Sequence, residues 1–68
     1  MIDLKKLSDK DIGKWVWYVT PHGDVEIGKL KCWNDKFVFV VYKCAGEWYR
    51  FKDYTGNATN PKDLEFIK

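Results

Sequence analysis

Apolar and polar positions alternate with a period of two along much of this chain. The clearest run is Trp15-Val16-Trp17-Tyr18-Val19. Successive strand residues point to opposite faces, so Val16 and Tyr18 share one face and Trp15, Trp17 and Val19 the other. Two turn signals follow, Pro21-His22-Gly23-Asp24 and Asn34-Asp35, with the apolar-patterned stretches 25–33 and 37–43 after them. Lys14 to Lys43 therefore predicts a three-stranded antiparallel meander. Gly28 lies inside the middle strand, where a glycine marks a bulge or a sharp bend. A turn over Asn34-Asp35-Lys36 pairs Trp33 with Phe37, Cys32 with Val38, Leu30 with Val40 and Gly28 with Tyr42. That register gathers the smaller apolar residues on one face and puts Lys29, Lys31, Trp33, Phe37, Phe39 and Val41 on the other.

The flanks carry local signals of their own. Ser8 followed by Asp11 has capping-box spacing, which predicts a helical turn ended by Gly13. Leu4, Leu7 and Ile12 are its apolar anchors over one mouth of a barrel. After the turn Cys44-Ala45-Gly46, the alternation of Glu47–Lys52 predicts a fourth strand, and Asp53–Asn57 a polar loop. Asn60 as N-cap with Pro61 in the first helical position predicts a capped turn. Glu65-Phe66-Ile67 is the last strand. The chain thus predicts an all-β fold, a small five-stranded SH3-like barrel with a short N-terminal helical turn and a single 3-10 turn before the last strand. It forms one domain over residues 1–68, and its expected core is Val16, Tyr18, Leu30, Val38, Val40, Tyr42, Ala58 and Leu64.

Composition changes this picture in one respect. A chain of 68 residues buries only about 60% of its unfolded surface, so its core is thin. Yet it carries four Trp, four Tyr and four Phe, and each ring buries roughly 150–250 Å². The rings outnumber what one small core encloses, so several are expected at the surface. Net charge is only +2, well short of the basic balance of a nucleic-acid binder. No apolar run approaches the ~20 residues of a spanning helix, and Met1–Lys6 lacks the apolar stretch of a signal peptide. These features predict a cytoplasmic protein with no membrane partner.

Candidate chemistry is sparse. In the expected register the partners of Cys32 and Cys44 stand six residues of strand apart, about 20 Å at 3.3 Å per residue. A disulfide tolerates less than about 7 Å between Cα atoms, so two free thiols are expected. Two Cys and His22 lack the paired spacing of a zinc site. His22 sits in a turn without a partner group, and neither cysteine has an adjacent base. No enzyme, metal, cofactor or small-molecule substrate is expected.

Leu7-Ser8, Asp11-Ile12-Gly13-Lys14, Val16, Tyr18, Gly23, Gly28, the run Trp33 to Val40, Ala58-Thr59, Pro61 and Leu64 together resemble small SH3-like barrel proteins encoded by bacteriophages and prophages, mostly of unassigned function. The likeness covers most of the chain and consists of turn, bend and core positions. Val41 stands where a basic residue is common in those proteins, and the segment from Lys43 to Asn57 is longer and more aromatic. The resemblance implies a phage or prophage origin and a bacterial host cytoplasm.

A binding surface is expected at Trp15, Trp17, Lys29, Lys31, Trp33, Phe39 and Trp48. Surplus aromatics with little net charge favour a protein partner or self-association, because Trp and Tyr anchor interfaces. Aromatics interleaved with Lys29 and Lys31 are also the ingredients of a nucleic-acid platform, single-stranded or duplex, in which rings stack on bases and ammonium groups follow phosphates. Nucleic acid through Lys29, Lys31 and Trp33 is thus the alternative.

Overall fold

A computed structural model describes residues 1–67 of the chain and is mostly β. Its strands are β1 (Trp15–Val19), β2 (Val25–Trp33), β3 (Val38–Val41), β4 (Asn57–Thr59) and β5 (Leu64–Phe66). All pairings are antiparallel, in the order β4-β3-β2-β1-β5. The helical pieces are 3-10 turns at Leu4–Lys6, Asp9–Asp11, Trp48–Asp53 and Pro61–Asp63. Among the described residues no helix is long and apolar enough to cross a membrane.

Local chemistry explains the connections. Thr20 and Asp24 close the first hairpin: the Thr20 N–H donates to the Asp24 carbonyl at 2.8 Å, and the Asp24 N–H to Thr20 Oγ1 at 3.1 Å. Gly23 supplies the φ of +88° between them, which costs a glycine nothing. The Asp11 carboxylate accepts the Ser8 N–H at 3.0 Å, as the capping spacing predicts. Asn60 caps the last turn by accepting the Lys62 N–H at 3.0 Å, with Pro61 in the first position.

β4 and β5 lie at opposite edges of the sheet, yet only Asn60–Asp63 separates them. A flat five-stranded sheet would hold them about 19 Å apart, at roughly 4.8 Å per strand. A 3-10 turn advances only about 2 Å per residue, so the sheet is strongly curled. No ladder joins β4 to β5, and the sheet stays open.

The curl creates two cores. Ile2, Val16, Leu30, Val38, Val40 and Leu64 fill the concave side, with Leu4, Leu7, Ile12, Tyr18, Trp33, Tyr42 and Phe66 packed around them. Val41, Cys44 and Phe51 form a second, smaller core on the other face, flanked by Ile12, Trp48 and Tyr54. Cys44 is buried and Cys32 exposed, both as free thiols.

Four expectations need correction. The segment expected as a fourth strand, Glu47–Lys52, is instead the 3-10 turn Trp48–Asp53. The fourth strand is Asn57–Thr59. This segment is two short 3-10 turns joined at a kink at Arg50, and Trp48, Phe51 and the extended cap residue Tyr54 all pack on the second core. Secondly, Phe37 is not paired with Trp33. Asn34 Oδ1 accepts the N–H groups of Lys36 and Phe37 at 2.8 and 2.7 Å, which keeps Phe37 in the loop and pairs Trp33 with Val38. Thirdly, a bulge between Leu30 and Cys32 absorbs the extra residue, so Leu30 meets Val40 as expected. Beyond the bulge the faces are exchanged: Trp33 packs on the concave core and Cys32 is exposed. Lastly, Ala58 is exposed and Thr59 takes its place inside, because Thr59 pairs with Val38 and Ala58 with Phe39.

Candidate functional site

The convex face of the sheet is half covered. Over β2 and β3 lies the layer from Trp48 to Gly56. Phe51 packs on Val41 and Cys44, and Gly56 leaves only 3.0 Å between its Cβ position and that of Phe39. Trp15 meets Trp48 edge-on, with ring centroids 4.8 Å apart. Lys29 Nζ lies 5.0 Å from the Trp15 ring centre and 5.3 Å from that of Phe51, within cation–π range of both. Lys31 Nζ donates to the Tyr54 carbonyl at 2.6 Å. The Tyr54 hydroxyl donates to Glu47 Oε2 at 2.7 Å, and that bond raises the Tyr54 pKa.

The expected surface residues therefore separate. Trp15, Lys29 and Trp48 form one cluster. Lys31 and Phe39 lie beside it under the Tyr54–Gly56 segment, and Trp33 belongs to the concave core. Trp17 stands clear of the covering layer. Its neighbours across the hairpin complete an uncovered apolar patch: Trp17 pairs with Ile27 and Val19 with Val25. Their relative exposures are 41% for Trp17, 51% for Ile27, 47% for Val19 and 54% for Val25. Ile67 flanks the patch through its N–H, which donates to the Trp15 carbonyl at 3.0 Å.

Val25 and Ile27 were missed as surface residues. The signal was present: folding β1 onto β2 about Thr20–Asp24 sets Val19 opposite Val25 and Trp17 opposite Ile27 by parity alone. A groove of about 440 Å³ borders the patch, lined by Glu26, Ile27, Tyr42, Lys43, Thr55 and Asn57. Tyr42 and Tyr18 stand beside it with ring centroids 6.1 Å apart. Burial raises the Tyr42 pKa, the Thr59 hydroxyl at 2.8 Å opposes that rise, and the Glu26 carboxylate adds to it. Among the described residues no three His, Cys, Asp or Glu side chains converge as a metal site would need.

Fold and site together define a small, open antiparallel β-sheet protein with one hairpin face left apolar. Compared with known proteins, the chain matches no family model, no curated protein and no solved structure.

Proposed function

We propose that this protein is a non-enzymatic binding module that holds a protein partner against the exposed face of the β1–β2 hairpin. One observation carries the reading. Trp17, Val19, Val25 and Ile27 form two adjacent cross-strand pairs, each residue about half exposed, and the patch is edged on the β5 side by the exposed Glu65 opposite Trp17. A contiguous apolar patch on a small domain marks a contact surface, and Trp is a favoured interface anchor. The strand order, with the two edge strands joined by a single 3-10 turn, supports an SH3-like barrel as the fold type. The resemblance to phage and prophage proteins supports a bacterial cytoplasmic setting.

The nucleic-acid alternative has less support. Lys29 is engaged with the Trp15 and Phe51 rings, Lys31 with the Tyr54 carbonyl, and the Trp33 ring faces the concave core. Its three central residues are thus committed within the fold.

The test is an aromatic photo-crosslinking residue in place of Trp17, which keeps a ring at the anchor position, with the same group in place of Lys62 as control, in protein expressed in a bacterial host. A discrete protein adduct from position 17 alone is expected. In parallel, a pool of single-stranded and duplex oligonucleotides at low salt is expected to leave the amide spectrum unmoved. Salt-sensitive shifts at Lys29 and Lys31 would overturn the protein-binding reading in favour of nucleic acid.

A further inference from the structure

The two ladders of β2 have different lengths. Toward β1 the pairing runs from Lys29 to Val25, whereas toward β3 it stops at Lys29, opposite Val41. The stretch Val25–Ile27 therefore has no partner strand on its second side among the described residues. Its free backbone groups can be assigned. The Leu30 N–H donates to the Lys14 carbonyl, and the Asp24 carbonyl accepts from Thr20, so even-numbered residues bond toward β1. Alternation then turns the N–H and C=O of Val25 and Ile27 outward, into the groove. An edge with unpaired groups of this kind is a template for another strand.

We propose that this edge takes up an extended segment of the protein partner by strand addition, and that the segment carries Lys or Arg flanked by apolar residues. The proposal rests on the protein-binding reading above and specifies its partner. The residue opposite Glu26 shares its face of the sheet. Glu26 is exposed and belongs to none of the ion pairs among the described residues. Its β1 neighbour is Tyr18, and Tyr42 lies beside it. A carboxylate next to two tyrosine rings suits a cation through both charge and cation–π attraction. The flanking residues of the added strand fall on the other face, where they extend the Val25, Ile27, Trp17 and Val19 patch. Thr55 and Asn57 on the opposite wall present polar groups to the segment's second edge, and the cationic Lys43 in the same lining disfavours any basic residue beyond the one opposite Glu26.

A second copy of this chain fits the edge poorly. Two-fold pairing centred on Glu26 sets the two carboxylates directly opposite each other, which is destabilising. Centring on Val25 sets Asp24 against Glu26. Centring on Ile27 requires the edge of Lys29, which Val41 already occupies.

The test fuses a short β-forming segment to the C-terminus through a flexible linker, which supplies a high effective concentration. One version is centred on Val-Lys-Val and the other on Val-Glu-Val. Amide exchange at Val25 and Ile27 is then read by NMR. The Lys version is expected to protect both amides roughly tenfold more than the Glu version, and E26K is expected to reverse that order. Unchanged protection of Leu30 and Val40 verifies the fold in each variant. Absence of protection in both versions, equal protection in both, or no reversal in E26K would overturn strand addition. So would concentration-dependent dimerisation of the unfused protein that protects the same amides. None of these outcomes touches the Trp17 crosslink, so a retained crosslink with no protection separates failure of this proposal from failure of the broader one.

Discussion

Gly28 sits where β2 bends against β3, and a Cβ there would lie 2.5 Å from the Val41 carbonyl oxygen and 2.7 Å from Val40 Cγ1. A backbone oxygen on a paired strand cannot move aside. Gly28→Ala is therefore expected to destabilise the protein by about 1–3 kcal/mol, read as a lower urea midpoint at unchanged slope. Asp11 shows the opposite case, a residue whose environment is wholly local. The hydrogen bond from Lys14 Nζ at 2.7 Å, followed by that from the Ser8 N–H, holds its carboxyl below the usual aspartate range. A depressed native pKa adds stability above the unfolded pKa, and that contribution is lost as pH falls through the native value. The stability difference between wild type and Asp11→Asn is expected to be present at neutral pH and to vanish in acid, as thermal melts across that range would measure. Caps of this sort were legible in the sequence because donor and acceptor lie within three residues. Gly28 was legible as a bend, but the oxygen that excludes a side chain comes from another strand.

At the scale of elements, the two misread segments share a cause. In Glu47–Lys52 the period-two alternation competes with the i, i+3 spacing of Trp48, Phe51 and Tyr54, and burial of that triplet on Val41 and Cys44 decides between them. In the β2–β3 hairpin, the Asn34 side-chain oxygen Oδ1 lengthens the loop by one residue and the bulge at Lys31 restores the register. Each event is local, and only their sum returns Leu30 to Val40. The Trp48–Tyr54 layer has a direct chemical readout. Cys32 is expected to react with an aromatic disulfide reagent at once, while Cys44, with 1% exposure, waits for the layer to open. Phe51→Ala should accelerate the second thiol and leave the first unchanged. Equal rates for both thiols in the wild type would show that the layer leaves Cys44 uncovered.

Across the whole molecule, what matters is how twelve aromatic rings are shared between two thin cores and the surface. No ring is fully buried, Phe51 coming nearest at 9% exposure, while Trp15, Trp17, Phe37 and Tyr49 are exposed, so the expected surplus is real. Because Trp17 contributes to a cross-strand pair and not to either core, Trp17→Ser is expected to cost no more than about 1 kcal/mol of stability, by thermal or urea unfolding. The same substitution is expected to abolish capture of the partner. The sequence by itself determined the strands of the meander, the caps, most of the concave core and the excess of rings, because these follow from periodicity and from contacts between near neighbours. Tertiary structure decided which of the expected surface residues stay uncovered. The bulge turned Trp33 inward, the Trp48–Gly56 layer claimed Lys29, Lys31 and Phe39, and the unequal ladders of β2 left Val25–Ile27 open. Each depends on which segment packs across a face, a competition between distant parts of the chain that no local pattern records.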